Sequence, residues 1–145
     1  IDVIKKSLNI FDRVIVATTD NVNKNYYFSI DERLNIINNS LFKDLKLKKN
    51  KIKVVSFNNL TIELCKKYKA TAIIRGLRAV SDFEYEFQLA GMNKKLNSNI
   101  ETMFLMSDVE NQIISSKFVK EIASLGGNIN RFVTKYTVKM LENKF

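Results

Sequence analysis

Short apolar runs alternate along the chain with segments whose apolar residues recur at helical spacing. The runs are rich in β-branched or large apolar side chains and predict four strands, at residues 13–18, 51–57, 71–74 and 101–106. The alternation of strands and amphipathic helices is typical of an α/β fold with a parallel sheet flanked by helices. Ligands of such folds bind in the loops beyond the carboxyl ends of the strands.

The helical segments carry recognisable start and stop signals. Ser29 and Glu32 have the spacing of a capping box, and Ser81 with Glu84 repeats that spacing. The glycine pair at 126–127 predicts the end of a helix. Together with the apolar periodicity, these signals predict helices at residues 1–8, 29–42, 60–68, 81–96, 116–125 and 134–143.

Length and hydrophobicity limit the domain organisation. The chain has 145 residues, of which 46% are hydrophobic, so it is long enough for one substantial core and too short for two ordinary domains. We therefore expect a single domain over residues 1–145. The longest apolar runs fall far below the roughly 20 residues that span a bilayer, so we expect no membrane crossing.

The single cysteine and the lack of histidine exclude several kinds of site. Cys65 is the only cysteine, so an intrachain disulfide is impossible and a cytoplasmic protein is favoured. We interpret Cys65 as a core residue rather than a nucleophile, because the chain has no histidine to activate it. For the same reason, these residues contain no His-based metal site and no Ser/His or Cys/His triad.

The charge of the chain favours an anionic partner. Lys and Arg number 24 against 15 Asp and Glu, a formal net charge of +9, which suits a nucleotide, a phosphorylated metabolite or a nucleic acid. Many of the lysines crowd residues 43–53, which we interpret as a solvated surface loop. The alternative is a basic nucleic-acid-binding module built on that loop, whose binding would depend steeply on salt.

The most informative segment is IIRGLRAVSDFEYEFQLA at residues 73–90, where an apolar strand leads into a helix. Gly76 permits close approach of the backbone to a ligand. Arg75 and Arg78 provide planar forks of donors that suit phosphate oxygens. The alternative is purely structural: both arginines pair with the acidic residues that follow, Asp82, Glu84 and Glu86.

A second segment, NQIISSKFVKEI at residues 111–122, follows the last predicted strand. It places Ser115 and Ser116 at the start of a helix, where hydroxyls and free backbone N–H groups form an anion site. Ordinary capping of the helix by serine is the alternative, and taken alone it is favoured. Neither segment has the glycine pattern of a P-loop or a dinucleotide fingerprint.

Together, these segments resemble the phosphopantetheine adenylyltransferase family. The sequence IRGLRAVSDFEYE matches the signature of that family and ISSKFVKE matches its C-terminal companion; FDRVIVATT, FSIDERL and IETMFLM follow in the order of the family. The resemblance implies a Rossmann-like α/β fold of the nucleotidyltransferase superfamily. It also implies transfer of the adenylyl group of ATP to 4'-phosphopantetheine, which gives dephospho-coenzyme A and pyrophosphate.

The resemblance implies roles for residues that bind the acceptor substrate. Lys24 matches a lysine that contacts the reacting phosphate, and Arg75 matches an arginine that holds the phosphate of phosphopantetheine; both are expected to oppose developing negative charge. Thr61 matches a contact to the pantetheine arm, and its alternative is an ordinary residue in the first turn of a helix.

The resemblance also implies an ATP site. Its loop matches Gly76, Leu77 and Arg78, and an ATP-site glutamate matches Glu86. Lys117 stands where the family frequently has a serine, and a lysine there still suits a terminal phosphate. The whole segment implied to surround the ATP phosphates is Asn111, Gln112, Ile113, Ile114, Ser115, Ser116 and Lys117.

The resemblance further implies that Mg²⁺ accompanies ATP, that coenzyme A is a feedback ligand and that the subunits form a homohexamer. We expect the phosphates and water to hold Mg²⁺, so a set of protein ligands is not required. Nucleic acid is not an expected partner of such an enzyme.

The sequence departs from the family at its front. The family has a first strand, a glycine-containing turn and a T-x-G-H motif before the first helix, whereas this sequence begins at Ile1, just after them. The resemblance assigns the histidine and threonine of that motif to the ATP α-phosphate. We expect a longer protein rather than natural loss; the alternatives are an inactive fragment and a nucleotidyltransferase that uses a cytidine nucleotide or nicotinamide mononucleotide.

Overall fold

The structure, a computed structural model, describes residues 1–21 and 25–145, and for residues 80 and 81 it describes the backbone only. The α/β class is confirmed. Within the described residues, four strands and seven α-helices follow one another as α1 (Asp2–Ile10), β1 (Val14–Thr19), α2 (Ile30–Asn39), β2 (Ile52–Phe57), α3 (Thr61–Tyr68), β3 (Ala72–Leu77), α4 (Val80–Leu96), β4 (Glu101–Met106), α5 (Val109–Gln112), α6 (Ser116–Ser124) and α7 (Lys135–Glu142).

The chain divides into two compact units. Unit 1 consists of residues 1–11 and 57–113, and unit 2 consists of residues 12–56 and 114–145. The described strands form two two-stranded sheets, in which β1 neighbours β2 and β3 neighbours β4. The expectation of a single domain over residues 1–145 stays a prediction.

Unit 1 is built on a parallel pair of strands. β3 and β4 are in register from Ala72 beside Glu101 to Leu77 beside Met106. The α4 helix connects the two strands, as a parallel pairing requires, and both α1 and α4 contact them. The core contains Ile62, Cys65, Ile73 and Ile100, so the prediction that Cys65 is a core residue is confirmed.

Unit 2 is held together by helices that close around its own core. Helix α7 contacts α2, α6 and a π-helical turn at Ser40–Asp44 that follows α2. The Asp44 carboxylate accepts a hydrogen bond from the Tyr136 backbone N–H at 2.8 Å, which fixes the start of α7 against that turn. The core contains Val119, Ile129, Val138 and Leu141.

A capping box, a glycine helix end and one pair of strand bounds are found at the predicted positions. Ser29 and Glu32 form a complete capping box at the start of α2. Gly126 has φ of +73° and the N–H of Gly127 donates to the Ile122 carbonyl at 2.8 Å, which is the geometry of a glycine helix end. The strand predicted at 101–106 has those bounds as β4.

Two local predictions are wrong. Ser81 is not the N-cap of α4, because the helix begins at Val80 with Ala79 as its N-cap. The third strand was predicted to end at Ile74 but extends to Leu77, since its pairing with β4 continues for three further residues. Arg75 and Gly76 therefore lie on a strand rather than in the loop after it.

The capping box makes the stability of unit 2 sensitive to acid. The pKa of Glu32 lies below its ordinary value of 4.5, because the Ser29 N–H donates to it and Lys144 pairs with it. This stabilisation is fully present above pH 4.5 and is lost as the pH falls through the folded-state pKa. We expect Glu32→Gln to reduce the rise in unfolding free energy between about pH 3 and pH 5, measured by urea denaturation. An unchanged slope would contradict this.

Candidate active site

The carboxyl ends of β3 and β4 meet at one edge of the sheet in unit 1. Leu77 lies beside Met106 in the register, and the Ser107 N–H donates to the Leu77 carbonyl at 2.9 Å just past the strand ends. The arginine-containing end of β3 and the start of the segment after β4 are therefore neighbours, where parallel sheets bind ligands.

Arg75 forms a two-pronged ion pair with Glu86. Its Nε donates to Glu86 Oε2 at 2.6 Å and its Nη2 donates to Glu86 Oε1 at 2.6 Å. The hydrogen bonds that Arg75 donates to Glu86 raise the pKa of Arg75 further above its ordinary value. The Glu86 side chain is 12% exposed and the Arg75 side chain 43%, so the carboxylate orients a guanidinium that faces solvent in part. The fork uses Nε and Nη2, and Nη1 lies outside it.

Arg78 also has an acidic partner, since its Nε donates to Asp82 Oδ2 at 3.2 Å. Both arginines thus make the ion pairs of the structural alternative, Arg75 with Glu86 and Arg78 with Asp82. These pairs do not exclude phosphate binding, because both guanidinium groups remain partly exposed and the guanidinium fork suits phosphate as well as carboxylate.

Gly76 and Leu77 are the last two residues of β3, and Gly76 is exposed whereas Leu77 is buried. A Cβ atom built on Gly76 would lie 2.7 Å from Cγ2 of Val3 in α1, so the glycine allows α1 to pack closely on β3. The Leu77 side chain is buried, so a contact between Leu77 and a nucleotide has to use its backbone. The sequence predicted that Gly76 allows close approach to a ligand, and that contact stays a prediction; the close approach to α1 was not predicted.

Thr61 is the first residue of α3, with Leu60 as its N-cap, and it is half-buried. The structure places it where its structural alternative expected it, in the first turn of a helix. Its predicted contact to the pantetheine arm stays a prediction.

The first part of the predicted ATP-phosphate segment belongs to unit 1. Asn111 and Gln112 end the short α5 helix, and Ile113 follows with its side chain exposed. Gln112 Nε2 donates to the Ser107 carbonyl at 3.2 Å, which ties α5 to the end of β4.

The second part of the segment belongs to unit 2. Ser115 is the N-cap of α6, and its hydroxyl accepts a hydrogen bond from the Phe118 N–H at 3.2 Å. Ser116 and Lys117 form the exposed first turn, whereas Ile114 packs against the core. Capping by Ser115, the simpler explanation, is therefore confirmed, and the remaining first-turn groups still suit an anion.

Lys24 lies outside the described residues, so its predicted role stays a prediction. Two other charged residues at strand ends were not indicated by the sequence pattern. In unit 2, Arg33 Nη1 donates to the Thr19 carbonyl at 2.7 Å and to the Thr18 hydroxyl at 3.0 Å. In unit 1, Lys6 reaches the end of β4. These contacts join distant positions, which no local periodicity reveals.

Metal-ligating and membrane-spanning features were also sought over residues 1–21 and 25–145. No group of three or more Cys, Asp or Glu side chains there is arranged to hold a metal ion. Across the same part of the chain, no helix has the length and apolar character needed to cross a bilayer.

Comparison with known proteins identifies the family. The family model described as "Cytidylyltransferase-like" matches residues 1–122. A phosphopantetheine adenylyltransferase of Pelagibacter ubique is 65% identical over 145 residues, which covers 100% of this chain and 88% of the relative. The chain belongs to the phosphopantetheine adenylyltransferase family. Others of that name, from Sphingopyxis alaskensis and Staphylococcus saprophyticus, are 44% and 46% identical, covering 95% and 100% of this chain and 80% and 87% of theirs.

The sequence left two classes of protein open, an enzyme and a basic nucleic-acid-binding module. Membership of the phosphopantetheine adenylyltransferase family favours the enzyme. The relatives are named as enzymes, and the match extends over the whole chain rather than over the lysine-rich residues 43–53. The matching family model carries the broader cytidylyltransferase description, whereas these relatives are adenylyltransferases by name.

Proposed function

We propose that this protein transfers the adenylyl group of ATP to 4'-phosphopantetheine, with dephospho-coenzyme A and pyrophosphate as products. A phosphate oxygen of phosphopantetheine attacks the α-phosphorus of ATP and forms the new P–O bond. The bond from the α-phosphorus to the bridging oxygen breaks in line with it, and pyrophosphate leaves. No covalent intermediate with the protein is needed, so the residues act by positioning and by opposing negative charge.

One observation carries this proposal: Arg75 is held by Glu86 at the carboxyl end of β3, beside the exit of β4. In this proposal Arg75, with Lys24, binds the acceptor phosphate, and Thr61 contacts the pantetheine arm. Glu86 and the backbone of Gly76, Leu77 and Arg78 contact ATP. Residues 111–117 surround its phosphates, with donors from the first turn of α6 and from Lys117.

Several further properties belong to the same proposal. Mg²⁺ accompanies ATP and supplies charge neutralisation at the phosphates, which hold it together with water; no described residue is assigned to it. Coenzyme A is proposed as a feedback ligand, since it contains the product. The cytoplasm is the proposed compartment, in keeping with the buried free thiol of Cys65.

The proposal is tested by pyrophosphate release from ATP and 4'-phosphopantetheine, on a sample whose intact mass has been measured. We expect turnover that depends on both substrates and falls to background when cytidine triphosphate replaces ATP. Turnover with the cytidine nucleotide instead would support the other nucleotidyltransferase. No turnover from a protein with the 16.8 kDa mass of these 145 residues would identify the chain as an inactive fragment.

We propose further that copies of the chain assemble, as a homohexamer, and that α4 supplies one contact. Tyr85, Phe87 and Met92 on α4 are 64%, 62% and 61% exposed, although the other side of the helix packs against β3 and β4. Large apolar side chains that a helix leaves exposed together normally mark a surface that a partner covers. The outward stripe at helical spacing is Glu84, Gln88, Gly91 and Lys95.

The charges of this stripe favour a second copy as the partner. Glu84 lies near the start of the stripe and Lys95 at its end. When two α4 helices pack antiparallel about a two-fold axis, Glu84 of each copy meets Lys95 of the other, and Phe87 meets Met92. Gly91 allows close approach at the centre because no atom lies within 4 Å of a Cβ built there. A two-fold contact of this kind is self-complementary.

A charge exchange tests this contact. We expect Glu84→Lys or Lys95→Glu alone to lower the molecular mass of the assembly in sedimentation, because each places like charges together. The double variant restores opposite charges and should recover the parent mass. If both single variants keep the parent mass, α4 is not the contact.

A further inference from the structure

Lys6 connects α1 to the end of β4 through three oxygen atoms. Its Nζ donates to the Met106 carbonyl at 2.6 Å, to Asp108 Oδ1 at 2.7 Å and to Asp2 Oδ2 at 3.2 Å. The Asp108 backbone N–H in turn donates to Asp2 Oδ2 at 2.8 Å. An ammonium group has three donors, and all of them are used here.

These contacts fix every residue at the exit of β4. Met106 and Asp108 are held by Lys6 and Asp2, and Ser107 between them donates its N–H to the Leu77 carbonyl at 2.9 Å. The predicted ATP-phosphate segment begins three residues later, at Asn111. The direction in which that segment leaves the sheet is therefore set by α1 and β3 together.

Lys6, Asp2 and Asp108 stabilise one another in their charged forms. Hydrogen bonding to Asp108 raises the pKa of Lys6. Burial tends to raise the pKa of Asp2, but hydrogen bonds from the Asp108 backbone and from Lys6 outweigh it and lower the pKa. Lys6 and Asp2 alone form an ordinary helical pair at i and i+4, which stabilises a helix only weakly. The contacts to Met106 and Asp108 add nothing to the helix itself and act on the exit of β4.

We propose that Lys6 and Asp2 are positioning residues that orient the start of the segment after β4, residues 111–113, for the phosphates of ATP. The inference rests on the proposed role of these residues. It predicts an effect on ATP that is larger than the effect on 4'-phosphopantetheine, because Thr61 and Arg75 lie on other segments of the chain.

The test uses Lys6→Met, which keeps most of the apolar stem and removes the donors. Lys6→Arg keeps the charge, and Lys66→Met is the matched control, since Lys66 makes only a local pair with Glu63 at 2.7 Å among the contacts of the described residues. We expect Lys6→Met to raise KM for ATP about tenfold, with KM for 4'-phosphopantetheine changed less than about twofold. Lys6→Arg should recover most of the ATP effect and Lys66→Met should match the parent.

Two further measurements separate this inference from stability and from the proposed function. Urea unfolding identifies a variant that is merely unstable. If Lys6→Met fails to fold, Asp108→Asn replaces it, because it keeps the backbone hydrogen bond to Asp2. We expect Asp108→Asn to raise KM for ATP by a smaller factor. ATP affinity measured by calorimetry does not require turnover. A parent protein that binds ATP but does not transfer the adenylyl group would therefore contradict the proposed function and leave the positioning inference standing. Equal changes in both KM values, or unchanged ATP affinity in Lys6→Met, would overturn the positioning role.

Discussion

Arg75→Ala should reduce kcat/KM for adenylyl transfer by a factor of about 10² to 10³, the usual effect of removing one donor that opposes developing charge. The variant removes the proposed partner of the acceptor phosphate. It also leaves the Glu86 carboxylate, which is 12% exposed, without its two hydrogen bonds at the end of β3. The measurement is steady-state kinetics of pyrophosphate release with each substrate varied in turn.

A companion set of variants separates phosphate binding from the ion pair. Arg75→Lys keeps the charge but loses the fork, so we expect it to remain well below the parent. Glu86→Gln removes the carboxylate that orients Arg75 and that is also a proposed ATP contact. A rise in KM for 4'-phosphopantetheine would indicate the first role, and a rise in KM for ATP the second. The exposed Arg131 provides the control Arg131→Ala. If Arg75→Ala lowered the free energy of unfolding but left kcat/KM near the parent value, the pair would be purely structural.

Gly76→Ala should destabilise unit 1 by about 1 kcal/mol, the low end of the cost of overpacking, because Gly76 is exposed and Val3 is half-buried. The new Cβ would lie 2.7 Å from Val3 Cγ2, and a β-branched side chain is too stiff at χ1 to move aside easily. The measurement is the free energy of unfolding by urea, monitored with a spectroscopic probe located in unit 1.

Two controls define the cause. Val3→Ala removes the methyl groups that the new Cβ would meet. The double variant Val3→Ala with Gly76→Ala should therefore lose less unfolding free energy than the sum of the losses of the two single variants. Gly91→Ala places a methyl group where no atom of the chain lies within 4 Å, inside α4. Measured at a concentration where the copies are dissociated, this variant should stabilise by about 0.5–1 kcal/mol. Additive losses in the double variant would show that the contact with Val3 is not responsible.

Elements with a complete local signal were predicted well. The strand at 101–106 has the predicted bounds, and the capping box of Ser29 and Glu32 formed because both halves of the reciprocal bonding are satisfied by local geometry. Ser81 and Glu84 have the same spacing, yet α4 begins one residue earlier, after Ala79. A spacing rule identifies a possible cap, but the backbone conformation decides which residue takes that position.

The site was predictable where neighbouring positions define it. The arginines at the end of β3 were found from the strand and the glycine beside them, but their pairing with Glu86 and Asp82 was one of several local options. Lys6 shows the opposite case, because its partner Asp108 is 102 residues away. Contacts of that kind arise from the packing of α1 on β3 and β4, which no local pattern contains.

The burial of Cys65 gives the protein an internal reporter of its own opening. Cys65 is the only cysteine, it is 6% exposed in the core of unit 1, and burial raises the pKa of its thiol. A thiol reagent therefore reacts at an appreciable rate only in molecules whose core has transiently opened, since the thiolate is the reactive form. The labelling rate then follows the local fluctuations of unit 1 in the unaltered protein, without a probe introduced by mutation.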